Sequence, residues 1–198
     1  SNFKNTIISL NLDEFLDKIQ KTNAKNELVT KNQMSNMSNI HKSLLVAKEQ
    51  CKDLIYFVED DYLHKEEAIT EMIYTYERIS SQINQELILC PSDYPYLYTK
   101  IDSTSIFLGG NKHWRKIDET LCTFLTSKIL VVKHWNKFIS MCQYEHYPFE
   151  QPLHDIYKIE YCFSPIPSLA LHCTNINSIF GLSPNMDWES VWESNSQY

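Results

Sequence analysis

Glycine is scarce in this chain: three in 198 residues, at Gly109, Gly110 and Gly181. Neither G-x-G-x-x-G nor G-x-x-x-x-G-K-[ST] can be written with them, which excludes the dinucleotide fingerprint and the P-loop. Any nucleotide must be held without a glycine-rich phosphate cradle. No C-x-x-C pair occurs among the six cysteines, Cys51, Cys90, Cys122, Cys142, Cys162 and Cys173. A zinc site is therefore not indicated, and the thiols read as small buried hydrophobes in a reducing compartment. Positive charge is also short. Lys and Arg total 18 against 25 Asp and Glu, a net charge of −7, with no basic run longer than a pair. That argues against a nucleic-acid backbone as partner. No apolar run approaches the ~18 residues of a membrane span, and the first residues show no basic-then-apolar leader. The length suits one domain with a full core.

What the chain does have is Asp53-Leu54-Ile55-Tyr56-Phe57-Val58-Glu59-Asp60-Asp61-Tyr62-Leu63-His64. An apolar, β-prone run ends in three consecutive carboxylates. The run reads as a strand covered on both faces, as in a parallel sheet. Ligands of open α/β sheets sit beyond the carboxyl ends of the strands. Three acids there repel one another unless a cation is present, and hard carboxylate oxygens suit Mg²⁺ or Mn²⁺ shared with substrate phosphates. The plainer alternative is a solvated turn before a helix, whose N-terminus favours acids.

Around this stretch the patterning predicts strands over 5–10, 27–30, 54–58 and 87–90. Helices are expected over 13–21, 35–51 (with Ser38 as N-cap) and 66–84. This βα alternation implies a parallel sheet with crossover helices. Beyond it, strands over 105–108 and 120–125 flank the turn-rich Gly109-Gly110-Asn111, helices run over 128–141 and 152–163, and the tail from 164 reads as loop.

The string Tyr56-Phe57-Val58-Glu59-Asp60-Asp61-Tyr62-Leu63-His64 resembles the D-x-D region of GT-A fold nucleotide-sugar glycosyltransferases, in particular a family-2-like subgroup of bacteria and large DNA viruses. Asp93 in its tyrosine-rich loop, His113-Trp114-Arg115 with Thr120 and Thr123, and Pro165-Ile166-Pro167 with His172 and Asp187-Trp188 extend the resemblance over roughly residues 35 to 190. It implies one GT-A-like α/β domain with a mixed, mostly parallel sheet between helices. Residues 1–90 would form the donor half and 91–198 the acceptor half. Only about 35 residues precede the region matched to 32–43, so the first βα units are abbreviated or missing. The implied activity is metal-dependent transfer of a hexosyl or deoxyhexosyl group from a UDP-, GDP- or dTDP-sugar to a glycan or other surface acceptor, with inversion expected. The implied location is cytoplasmic, peripheral to the inner membrane face, or the host cytoplasm if viral.

By the same resemblance Asp61 contacts a Mn²⁺ or Mg²⁺ ion and His172 is its second ligand, with a core histidine as the alternative reading. Glu59, Asp60, Asn36 and Ser38 face the donor. Arg115 clamps a phosphate or an acidic sugar, a role its planar fork of donors suits. Asp93, Tyr94, Tyr96 and Trp114 offer an acceptor platform, although aromatic side chains also serve as core. Asp155, near the start of the helix over 152–163, is the candidate general base, or else a first-turn acid favoured by the helix dipole. Two other functions fit the acid cluster or the tyrosine loop: a metal-dependent phosphohydrolase or nucleotidyltransferase, and a non-catalytic carbohydrate-binding module.

Overall fold

The structure, a computed structural model, describes residues 28, 30–143, 146–174 and 176–196. The strand expected over 5–10, the helix over 13–21 and most of the strand over 27–30 lie outside them.

The first described helix, α1 (Lys31–Gln50), starts earlier than the patterning suggested. Thr30 and Gln33 form a capping box: the Thr30 hydroxyl accepts the Gln33 N–H at 3.3 Å, and the Gln33 side chain accepts the Thr30 N–H at 2.9 Å. Two orphan donors of the first turn are thereby satisfied. Ser38 is not a cap. It lies inside the helix, buried, and its Oγ donates to the Met34 carbonyl at 2.7 Å.

Strand β1 (Leu54–Phe57), α2 (Ala68–Ile83) and β3 (Leu87–Leu89) follow closely as predicted, whereas the short strand β2 (Tyr62–His64) lies where no strand was expected. The inner face of α2 is Ala68, Met72, Tyr76 and Ile79, the i, i+4, i+8, i+11 stripe of a half-buried helix. It ends at Asn84, which takes the left-handed conformation (φ 52°) that Asn tolerates at a helix terminus. After a 3₁₀ turn at Pro95–Tyr98 come the hairpin of β4 (Ile106–Leu108) and β5 (His113–Ile117), then β6 (Phe124–Ser127). Helices α3 (Lys128–Lys133) and α4 (Trp135–Ser140) are followed by α5 (Gln151–Tyr157). The chain closes with β7 (Tyr161–Ile166), β8 (Ala170–His172) and α6 (Trp188–Asn195).

The six-stranded sheet has the order β1-β6-β3-β7-β5-β4. Only β3 and β7 run parallel; the other neighbours are antiparallel. The expectation of a mostly parallel sheet is therefore corrected: the protein is mixed α/β with a mostly antiparallel sheet between helices. The cause is β6, which inserts antiparallel between β1 and β3 and separates the strands that a βα series would have placed side by side. Strand β7 occupies the end of the stretch expected to be helical, and β5 lies where only a turn was read. Pro165 does not interrupt the sheet. It stands opposite Trp114 of β5, past the last β3 residue paired with β7, so no ladder partner is denied an N–H on that side.

Alternation along the strands feeds two cores. Ile88 and Phe124 face α1, α3, α4 and α5, against Leu44, Leu130, Phe138 and Leu153. Leu87, Leu89 and Leu125 face α2, with Met72, Trp114 and Phe163. The separate two-stranded sheet, β2 with β8, pairs Tyr62 with His172. That register brings two distant parts of the chain together beside the acid triplet.

Candidate functional site

The chain leaves β1 at Phe57 and passes through Glu59, Asp60 and Asp61 along the lip of a cleft of about 670 Å³. Its wall is α1, which contributes Asn36, Asn39 and Ser43; its floor includes Tyr56 and Phe57; Cys122, Phe124 and Met141 close the far side. The α1 wall thus offers two neutral amides and a hydroxyl among the apolar side chains of Ile40, Leu44, Val46 and Ala47, and the lip offers carboxylates.

Asp61 immediately precedes β2, and His172 ends β8, so the β2–β8 register sets them against each other. His172 Nε2 lies 3.0 Å from Asp61 Oδ2. The other ring nitrogen, Nδ1, faces the Phe180 carbonyl at 3.3 Å. Nδ1 thus faces a backbone carbonyl and Nε2 a carboxylate, two groups that accept hydrogen bonds. Two further bonds hold Asp61: the Thr174 hydroxyl donates to Oδ2 at 2.5 Å, and the Cys173 N–H donates to the Asp61 carbonyl at 2.8 Å. Asp61 Oδ1 is buried and has no partner. A buried lone carboxylate oxygen is costly unless something not yet counted binds it.

Glu59 sits deeper. Its N–H donates to Thr123 Oγ1 at 3.0 Å, and the Thr123 hydroxyl lies 3.5 Å from its carboxylate. Burial above all, then the charges of Asp61 and Glu150, raise the Glu59 carboxyl to about 7. Glu150, at the N-cap of α5, is itself buried, and that burial raises its carboxyl too. Both acids act on the Cys122 thiol in the cleft wall, which burial and their charges hold well above its usual range. Asp60 is exposed on the lip.

The structure does not bring the other expected residues to this cleft. Asn36 is there, but Ser38 faces its own helix. Arg115 is not free to clamp a phosphate: it forms a buried ion pair with Asp93, and its guanidinium lies 4.3 Å from the Tyr98 ring centre. Asp93 also accepts the Tyr98 hydroxyl at 2.5 Å, which accounts for its position better than an acceptor contact does. The aromatic platform is corrected as well. Tyr94 and Trp114 have no exposed surface and Tyr96 has 6%. Their polar atoms are spent internally: Tyr94 on the Tyr62 hydroxyl, Tyr96 on the Glu119 carbonyl, and Trp114 Nε1 on Glu71. Such satisfied aromatics are core. Asp155 lies outside the cleft lining. It accepts Lys158 Nζ at 2.6 Å and Gln151 Nε2 at 3.2 Å, and these bonds hold its carboxyl below the usual range.

Three contributors escaped the sequence reading. Asn39 follows from the helical spacing of Asn36. Glu150 stands two residues before Pro152, and a proline in a first helical turn marks the residue that opens it. Thr174 had no signal, because its place depends on the β2–β8 pairing.

Among the described residues, no group of three His, Cys, Asp or Glu side chains is arranged to hold a metal unaided. Asp61 and His172 are the two residues that could hold an ion whose shell is completed by water and phosphate, the usual habit of Mg²⁺. The unpartnered Oδ1 would be the free oxygen such an ion needs. No helix of the described residues is long and apolar enough to cross a membrane. Comparison of the chain with protein-family models, with curated proteins and with solved structures returns no match.

Proposed function

We propose that this chain is a metal-dependent glycosyltransferase of the GT-A type, taking a sugar from a nucleoside-diphosphate donor and passing it to a glycan hydroxyl. One observation carries the reading: Asp61 and His172, far apart in sequence, meet at 3.0 Å beside a cleft edged by three carboxylates, with one Asp61 oxygen buried and unclaimed.

Asp61 and His172 would hold a Mn²⁺ or Mg²⁺ ion, which when bound neutralises the diphosphate leaving group. The rest of the work falls to the chain. The neutral α1 wall, Asn36 and Asn39 with Ser43, suits hydroxyls and amides of an uncharged part of the donor. The Phe180 carbonyl fixes the ring orientation of His172, as outer-shell acceptors do for ligating imidazoles.

Transfer also needs a carboxylate to take the acceptor proton. Glu150, which like Asp155 lies outside the cleft lining, fits better: it opens α5, is buried, and that burial raises its carboxyl. An ion-paired, acid-shifted Asp155 is a poor base. The carbohydrate-module alternative loses its basis, since its tyrosine platform is core. The phosphohydrolase alternative gains no further carboxylates arranged around a metal among the described residues.

A thermal-shift screen of UDP-, GDP- and dTDP-sugars, each with and without Mn²⁺, tests the reading. Ligands that bind only the native state raise its melting point. One nucleotide class should do so, and only with the metal. A shift by none of them, or an equal shift in EDTA, would remove the proposal.

A further inference from the structure

The end of β8 touches Asp61 three times in succession. His172 meets it through the imidazole at 3.0 Å, Cys173 through its backbone N–H at 2.8 Å, and Thr174 through its hydroxyl at 2.5 Å. The side-chain contacts come from His172, the last residue of β8, and from Thr174, in the turn that follows it. The Cys173 thiol turns instead to the Leu171 carbonyl.

These bonds are unevenly shared. Thr174 and His172 both address Oδ2, and Oδ1 is left buried and empty-handed. The terminal torsion of an aspartate is soft and nearly two-fold, so nothing intrinsic to Asp61 distinguishes its oxygens. An outside donor has to do so. The imidazole cannot serve if its Nε2 is taken by a metal. Thr174 can: a hydroxyl has one proton to give, and here that proton is committed to Oδ2.

We propose that Thr174 is a positioning residue, whose hydroxyl fixes the Asp61 carboxylate so that Oδ1 is presented to a divalent cation. The inference rests on the metal reading of Asp61 and adds to it a residue that touches neither the metal nor the substrate. Thr174 is itself exposed, so its side chain adds nothing to a hydrophobic core. Its contribution is orientation of the ligand.

The test is Mn²⁺ titration into the full chain, followed by loss of the free-ion EPR signal, with Mn²⁺ alone and with UDP added, each against a protein-free blank. The melting temperature of the metal-free protein is recorded in parallel. Thr174→Val keeps the shape and removes the hydroxyl. It should weaken Mn²⁺ binding by about 10- to 100-fold, the usual cost of losing an outer-shell partner, without moving the metal-free melting temperature. Thr174→Ser should restore the affinity. Equal affinity in wild type and Thr174→Val overturns the inference and leaves the metal site standing. So does a Thr174→Ser protein as weak as Thr174→Val, since the hydroxyl would then not be what counts. A Thr174→Val protein that loses its metal-free melting transition also overturns it, by making the role structural. Wild type taking up no Mn²⁺ in either arm removes the metal reading itself.

Discussion

Asp155 and Glu150 lie little more than one helical turn apart, yet their surroundings push them in opposite directions. Lys158 and Gln151 bind the Asp155 carboxylate and favour its charged form. Burial penalises the charge on Glu150. If Glu150 is the base, Glu150→Gln should lower transfer by roughly 10²–10⁴-fold, while Asp155→Asn leaves the rate near that of wild type; steady-state kinetics on both variants separates them. The same burial has a consequence for stability. A carboxyl raised in the folded state holds its proton more tightly there than in the unfolded chain. Stability from this group is present at acid pH and falls as pH climbs above the ordinary value of 4.5. Glu150→Gln has no proton to lose, so its urea midpoint should decline less than that of wild type from acid to neutral pH. A steeper decline would show that Glu150 is stabilised as an anion.

At the scale of elements, the β4–β5 hairpin depends on a residue of α2. Buried Glu71 accepts the backbone N–H groups of Asn111 (2.7 Å) and Lys112 (3.2 Å), and Trp114 Nε1 at 3.3 Å. Glu71→Gln turns an amide N–H₂ toward these donors. It should cost about 2–3 kcal/mol in urea unfolding, the scale of a hydrogen bond to a charged group. Gly109 belongs to the same arrangement: a Cβ there would lie 2.3 Å from both Thr75 Oγ1 and Trp114 Nε1. Gly109→Ala should therefore destabilise this corner as well. The elements visible in the sequence were those with a clean period or an unbroken apolar run, namely β1, α2 and β3. Strand β5 was not, because His113, Arg115 and Lys116 give His113-Trp114-Arg115-Lys116-Ile117 a polar look; Arg115 is nonetheless buried by its pair with Asp93. Strand β7 was absorbed into a helix reading, since nothing local separates Tyr157 from Cys162. Of the site, Asp61 with His172 and the cleft-side Asn36 were legible. The tyrosines misled because a proline-flanked loop reads as surface, whereas here the 3₁₀ turn folds Tyr94 and Tyr96 inward against Phe180.

Across the whole molecule, the helices on both sheet faces leave four thiols, Cys90, Cys122, Cys142 and Cys162, buried, while Cys51 is half-buried and Cys173 exposed. Burial raises the Cys90 and Cys142 thiols to about 12, so they are protonated as well as covered. A maleimide should therefore modify Cys173 first and Cys51 more slowly in the native protein, and the remaining four only after unfolding, as intact mass would record. The larger claim is that the cleft beside β1 takes a nucleotide and a metal together. Calorimetric titration of UDP and GDP into wild type and Asp61→Ala, with Mn²⁺ and again with EDTA, tests it most directly. Wild type with Mn²⁺ should bind one nucleotide tightly, and that binding should be lost in EDTA and absent from Asp61→Ala. Binding of equal strength in all of these conditions, or in none, would contradict it.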